Sequence, residues 1–186
     1  MSVLAIDTSS RSRVVCVLTT PAGELLDSAV IRGAPVAASL PPVLGRMLAS
    51  VDTAVVVVTG PGTYTGVRAG MAAALGVAHA LGLPLHGAGS LEAVASGDPS
   101  AAPGDWVVAD AGRGALYAAR VEEAARPTRV RHAEFDPGTG RVASTDSVDI
   151  EGLVLVDPAQ ALARVVPLAL SRAPLDRAGL VALYVD

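Results

Sequence analysis

Lysine is absent from this chain of 186 residues, and all 14 basic residues are arginine. That absence removes the P-loop, whose lysine sits on the β- and γ-phosphates, and Schiff-base catalysis, which needs a lysine amine. Cysteine occurs once, at Cys16, so no intrachain disulfide and no cysteine-rich metal site can form. Inside the apolar run Val14–Leu18 it reads as a small buried hydrophobe rather than a reactive thiol. The histidines are His79, His86 and His132, with no HxxxH or HExxH spacing, so neither a helical zinc site nor a catalytic histidine is expected. Aromatic residues make up only 3% of the chain, which leaves alanine, valine and leucine to build the core. The net charge of -4 argues against a broad phosphate-binding face. No apolar run approaches the ~20 residues of a membrane span. The opening Met-Ser-Val-Leu-Ala-Ile-Asp lacks the basic and apolar regions of a signal peptide. A soluble, cytoplasmic protein is the expectation.

At 51% hydrophobic, the chain has enough apolar material for one domain or two small lobes. Its first part reads as three strands, Val3–Ile6, Val14–Leu18 and Leu25–Ile31, joined by turns too short for anything but antiparallel pairing. Helical spacing follows over Val36–Ser50, with Pro41 and Pro42 either tolerated near the first turn or delaying the start. Ala54–Val58 is a buried strand of parallel type. Helical spacing resumes from Val67 to Leu81 and stops at Gly82-Leu83-Pro84, with a short strand at Leu85–Ala88 and one or two helical turns at Ser90–Ser96. Gly97–Asp105 is a Pro/Gly/Ser/Asp linker. It divides the chain into lobes at 1–100 and 101–186.

Beyond the linker the opening device recurs. Trp106–Ala109 delivers Asp110 into a small polar turn, as Val3–Ile6 delivers Asp7, and a strand at Ala115–Val121 follows at once. This suggests a duplicated unit. An arginine-rich polar region runs to Ser147, then a buried strand at Gly152–Val156, a helix over Pro158–Ser171 interrupted at Pro167, and a terminal Leu180–Val185 run. The class is α/β with mixed sheets.

Three features could carry chemistry or association. The loop of Gly60, Pro61, Gly62, Thr63 and Gly66 joins a buried strand to a helix and could present free N–H groups to an anion, or could simply turn the chain and cap the helix through Thr63 or Thr65. Asp7 and Asp110 could hold a hydrated Mg²⁺ against a phosphate across a cleft, or each could cap its own turn. The two helices carry enough apolar and small residues for a second, intermolecular face, or all of them are internal core: Leu40, Val43, Leu44 and Met47 on the first, Gly66, Gly70, Ala73, Ala74 and Ala78 on the second.

These strings together resemble a known family. LAIDTS at 4–9, GPGTYTGVRAG at 60–70, ALGLPLHGAGSLEAVA at 80–95, DAGRGALY at 110–117 and LYVD at 183–186 are similar to the TsaB (YeaZ) family. The resemblance implies an actin-like ATPase (ASKHA, ribonuclease H-like) fold of two similar lobes with mixed β-sheets flanked by helices. It also implies a non-catalytic subunit that binds and activates TsaD, with TsaE in the larger complex, to install threonylcarbamoyl on the adenosine beside the anticodon of ANN-decoding tRNAs. On this reading the chain pairs with TsaD, or with itself as a homodimer, through its first two helices: Leu40, Val43, Leu44 and Met47 with Arg68, Gly70, Met71, Ala74 and Ala78. Asp7, Thr8, Ser9, Gly60, Gly62, Thr63, Gly66, Asp110 and Arg113 become vestigial phosphate loops. No metal and no cofactor are expected in the isolated chain, with a nucleotide at a complex interface left open. Contact with tRNA is indirect or peripheral, through Arg126, Arg129 and Arg131 at most.

The chain departs from the family pattern in two places. The usual His-Ser pair at the first helix is replaced by Pro35-Val36-Ala37-Ala38-Ser39, and DARRGEVY has become DAGRGALY, with Gly112 and Ala115 standing for an arginine and a glutamate. The competing reading is a nucleotide-dependent enzyme of the actin-like superfamily using Asp7, the Gly60–Gly66 loop and Asp110. An older metallopeptidase label for the family conflicts with the missing metal ligands.

Overall fold

The computed structural model describes residues 1–176 and 181–185. Strands β1 (Val3–Asp7), β2 (Arg13–Thr19) and β3 (Leu25–Arg32) form an antiparallel meander, and β4 (Ala54–Val58) and β5 (Leu85–Ala88) add in parallel, giving the order β3-β2-β1-β4-β5. The second sheet repeats this pattern. Strands β6 (Trp106–Gly112), β7 (Ala115–Arg120) and β8 (Thr128–Arg131) form the meander, and β9 (Val142–Ser144) and β10 (Val154–Leu155) add in parallel, in the order β10-β9-β6-β7-β8. The duplication suspected from two aspartate-ending strands is therefore a duplication of sheet topology, as in the actin-like fold.

Helices differ between the halves. In the first, α1 (Val36–Met47) connects β3 to β4 and α2 (Tyr64–Leu81) connects β4 to β5; the matching connections of the second half contain no α-helix. Helix α3 (Ser90–Gly97) follows β5, and α4 (Pro158–Leu170) follows β10. These two are exchanged: α3 packs on β6 and β9 of the second sheet, whereas α4 packs on β1, β2, β3 and β5 of the first. The lobes are thus interlocked. The sequence boundary near residue 100 separates the sheets but not their covering helices.

Burial follows the two-residue period of extended chain. Val3, Ala5, Val15, Val17, Ala54, Val56 and Val58 face α3 and α4, in a core that continues to Val107, Ala119 and Ala143 of the second sheet. Leu4, Ile6, Val14, Cys16, Val55 and Val57 face the other way, toward α1 and α2. A sheet covered on both faces explains why β1, β2 and β4 are buried throughout and mostly apolar. The outer face of the second sheet is closed instead by Trp106, Phe135, Val148, Ile150 and Leu153 around Val108, Ala118 and Val142.

Several element boundaries differ from expectation. Helix α1 begins at Val36 and contains both prolines, then tightens into a 3₁₀ turn at Leu48–Ser50. The prolines leave the Ala37 and Ala38 carbonyls without a helical donor, but Pro41 and Pro42 sit on the exposed side. Helix α2 begins at Tyr64, three residues earlier than its apolar pattern indicated, and α4 continues through Pro167 to Leu170. Strands β8 and β9 lie inside the stretch that read only as polar. Leu180 of the terminal run falls outside the described residues, as does Asp186 after it. Val181–Val185 form no strand, although the Leu183 N–H donates to the Thr59 carbonyl at 2.7 Å. No helix of the described residues is long and apolar enough to cross a membrane.

Candidate functional site

The strand β1 delivers Asp7, Thr8 and Ser9 directly against the start of α2. Asp7 is 8% exposed, and its Oδ1 accepts the Ser9 N–H at 2.8 Å and the Ser9 hydroxyl at 2.6 Å. The Thr8 hydroxyl donates to the Gly66 carbonyl at 2.7 Å, and the Thr63 N–H donates to the Ser9 carbonyl at 2.8 Å. Thr63 is the cap of α2, its Oγ1 accepting the Gly66 N–H at 3.2 Å and its carbonyl the Val67 N–H at 2.9 Å. The glycines are there for proximity rather than for ligand. A methyl group at Gly62, Gly66 or Gly70 would fall within 3.0 Å of Ser9, of the Thr8 carbonyl or of the Thr8 hydroxyl, respectively.

The expected residues Asp7, Thr8, Ser9, Gly62, Thr63 and Gly66 are therefore brought together, but as a knot closed on itself. Gly60, with φ of 111°, turns toward the Leu183 carbonyl. Of the two readings of Asp7, capping its own turn describes the geometry. Asp110 does the same in the second lobe, its Oδ1 accepting the Gly112 N–H at 2.7 Å. The duplication extends down to these paired aspartate turns. Arg113, at φ 56°, is an exposed turn residue in left-handed backbone.

Asp110 also lines a cleft of about 220 Å³ with Arg11, Arg13, Arg32, Thr145, Asp146 and the serines Ser10, Ser12 and Ser147. Asp7 is not among these residues, so the two aspartates do not face each other across it. Arg13 opens an apolar strand and Arg32 closes one. The like-charged register that opposes them, and the approach of 145–147, are tertiary facts with no local sequence signal. A second recess of about 420 Å³ includes Glu92 and Arg172, but these hold each other bidentately at 2.5 and 3.0 Å. Burial alone would raise the Glu92 carboxyl. The hydrogen bonds from Arg172 and from the Gly89 N–H outweigh it and hold the carboxyl below its ordinary range. Among the described residues no group of three or more His, Cys, Asp or Glu could hold a metal ion.

The helical surface requires correction. Leu40, Val43 and Met47 of α1 and Gly70, Met71, Ala74 and Ala78 of α2 are buried, and the larger of them belong to the chain's own core. Met47, at 1% exposure, cannot touch a partner. Apolar periodicity selected the side that packs on β1, β2 and β4, because periodicity marks one face without saying what covers it. Only Leu44, partly, and Arg68 reach the surface. The accessible face of α2 instead carries Tyr64, Arg68, Ala72, Leu75, Gly76 and His79, with a shallow groove of about 330 Å³ among the last four. Tyr64 stacks on Tyr184 at 5.6 Å, and the Arg68 guanidinium lies 3.9 Å over the Tyr64 ring.

Comparison with known proteins places this arrangement. YeaZ from Pseudomonas aeruginosa superposes with a TM-score of 0.73 at 21% identity, over 99% of each chain. An uncharacterized protein of Mycobacterium leprae is 40% identical over 113 residues, covering 56% of this chain and 30% of the relative. One from Mycobacterium bovis is 44% identical over 91 residues, covering 46% of this chain and 40% of the relative. The matched stretch thus spans less than half the length of either mycobacterial relative. Residues 37–136, more than half of the chain, match the family described as "TsaD: tRNA N6-adenosine threonylcarbamoyltransferase". The chain belongs to that family, and it carries the two-lobed YeaZ fold.

Proposed function

We propose that this chain is a non-catalytic TsaB-type partner subunit of tRNA threonylcarbamoyladenosine modification, which binds and activates a TsaD subunit. The observation that carries the reading is the knot at the start of α2. Where an actin-like enzyme would need open phosphate loops, Asp7 is occupied by Ser9, the Thr63 N–H by the Ser9 carbonyl, and Gly66 by Thr8. With Asp7 Oδ1 and the N–H groups of Thr63 and Gly66 already paired inside the protein, the loop has less to offer a nucleotide. Its effect is to fix the angle at which α2 leaves the sheet.

The surface so fixed is the exposed side of α1 and α2. Tyrosine and arginine are enriched at interface hot spots, and this chain has only three tyrosines, two of them stacked at Arg68. Beside them Leu75 is 36% exposed next to Ala72 and Gly76, small residues that let a partner helix approach. A stable pair should bury about 1,200–2,000 Å². The same face serves a homodimer when TsaD is absent, TsaE joins the larger assembly, and tRNA is met at its edge.

The test is co-expression with a cognate TsaD subunit and sizing of the product. Leu75→Glu should abolish the complex while leaving the melting temperature of the free chain within a degree or two, because substitutions at exposed sites stay within about 0.5 kcal/mol. A complex that survives Leu75→Glu together with Arg68→Glu moves the interface elsewhere. ATP turnover by the free chain that Asp7→Asn abolishes would replace the partner reading with the enzymatic one.

A further inference from the structure

We propose that the cleft among Arg11, Arg13 and Arg32 is a binding site for a small oxyanion of the phosphate class, shared between the two lobes. The proposal does not depend on the partner-subunit reading. It begins with the register of the first sheet, in which Arg13 of β2 stands directly opposite Arg32 of β3. Like charges directly opposed on an antiparallel pair are destabilising, and both side chains reach the same cleft. A chain with a net charge of -4 has here brought three guanidinium groups to two carboxylates, Asp110 and Asp146. Local conflicts of this kind are expected at functional or strained sites.

The pairing of these groups is incomplete. The Arg13 side chain is 3% exposed; its Nη1 donates to Asp146 Oδ1 and to Ser10 Oγ, and its Nη2 donates to Thr145 Oγ1 at 2.5 Å. Its Nε is buried with no hydrogen-bond partner among the described residues. Arg11 Nε stays 3.9 Å from Asp110 Oδ2, a loose ion pair, and Arg32 has no ion pair among the described residues. A buried N–H without an acceptor keeps its full desolvation cost; the guanidinium groups left for an arriving oxyanion are those of Arg32 and the loosely paired Arg11.

The remaining lining suits the same ligand. Ser10, Ser12, Thr145 and Ser147 place four hydroxyls beside the guanidinium groups, of which that of Ser10 already donates to Asp146 Oδ1 at 3.0 Å; guanidinium and hydroxyl donors together suit phosphate oxygens. The volume of about 220 Å³ lies below the roughly 300–1,000 Å³ of pockets that enclose whole organic ligands. It fits a phosphate group and not a complete nucleotide. Because Arg11, Arg13 and Arg32 come from the first half and Asp110 and 145–147 from the second, a bound anion would tie the lobes together.

The experiment is thermal unfolding of the full chain in rising inorganic phosphate, with ionic strength held constant by chloride. The expected result is a saturable rise in melting temperature, about 5–10 °C at a hundredfold excess over Kd. Arg32→Ala should abolish that rise. Relieved of the opposed charge, it should also melt about 1–3 °C above the parent protein in phosphate-free buffer. Arg129→Ala, a change at an exposed arginine of β8, should keep the full response. Phosphate also stabilises proteins generally by exclusion from their surface, so saturation and its loss in Arg32→Ala are the readout. An equal response to AMP assigns the site to a phosphate group whatever carries it, and a response to inorganic phosphate alone assigns it to the free ion. A non-saturating rise, an undiminished rise in Arg32→Ala, or a response to AMP without one to phosphate overturns the proposal.

Discussion

Gly66→Ala isolates the contact that positions α2. The new methyl group would lie within 3.0 Å of both the Thr8 carbonyl oxygen and Thr63 Oγ1. Neither is the loose end of a flexible chain: Thr8 is the first residue after β1, and Thr63 is the helix cap. Relief requires the β1–β2 turn and the start of α2 to separate, which strains the buried Thr8 bond to the Gly66 carbonyl and the cap bond to the Gly66 N–H. Overpacking of this kind costs about 1–3 kcal/mol, and each weakened hydrogen bond about 1 kcal/mol. Alanine returns up to about 1 kcal/mol over glycine through helix propensity. The net expectation is a loss of about 1–3 kcal/mol, read as a lower urea midpoint with an unchanged slope. Gly76→Ala is the internal control. It lies in the same helix, its added methyl would meet nothing within 4 Å, and it should gain up to about 1 kcal/mol. If Gly66→Ala were as stable as Gly76→Ala, the close approach of Thr8 to α2 would not exist and the knot would lose its structural role.

Three further outcomes follow from burial and pairing. Burial first, and then the neighbouring Asp7 carboxylate, push the Cys16 thiol up to about 12 despite the opposing influence of Arg46; at pH 8 a disulfide reagent should label native protein on the order of a thousandfold more slowly than unfolded protein, and comparable rates would contradict its burial. Met47→Ala should cost about 2–5 kcal/mol by emptying a core position, whereas Leu75→Ala should stay within about 0.5 kcal/mol; equal losses by urea unfolding would mean that the inner and outer faces of the two helices are misassigned. Because the folded Glu92 carboxyl is held below its ordinary range, its contribution is present above the unfolded value of about 4.3 and is lost as pH falls through the folded one. Glu92→Gln should therefore be less stable than the parent at pH 7, with the gap closing below about pH 4, and a gap that persists at pH 2 would exclude the Arg172 pair as its source.

The sequence alone determined the strand-rich opening, the two aspartate turns, the first four strands within a residue or two, and the family. These are properties of short segments, set by two-residue alternation, turn chemistry and a glycine-rich string whose spacing few other loops share. It could not show the short strand Val142–Ser144, whose pairing with β6 rather than its composition makes it a strand. Nor could it show that α3 and α4 change lobes, since an apolar helix face carries no address. The candidate residues divide in the same way. Asp7, Thr8, Ser9 and the Gly60–Gly66 loop were legible as a group because each is unusual locally, but only the fold decided that they bind one another. Leu40, Val43 and Met47 were legible as apolar, and only the sheet behind them decided that they are core. Arg11, Arg13 and Arg32 form no motif along the chain. The strand register sets Arg13 against Arg32, and the packing that brings Thr145 and Asp146 onto Arg13 belongs to the tertiary structure, because it joins segments more than a hundred residues apart.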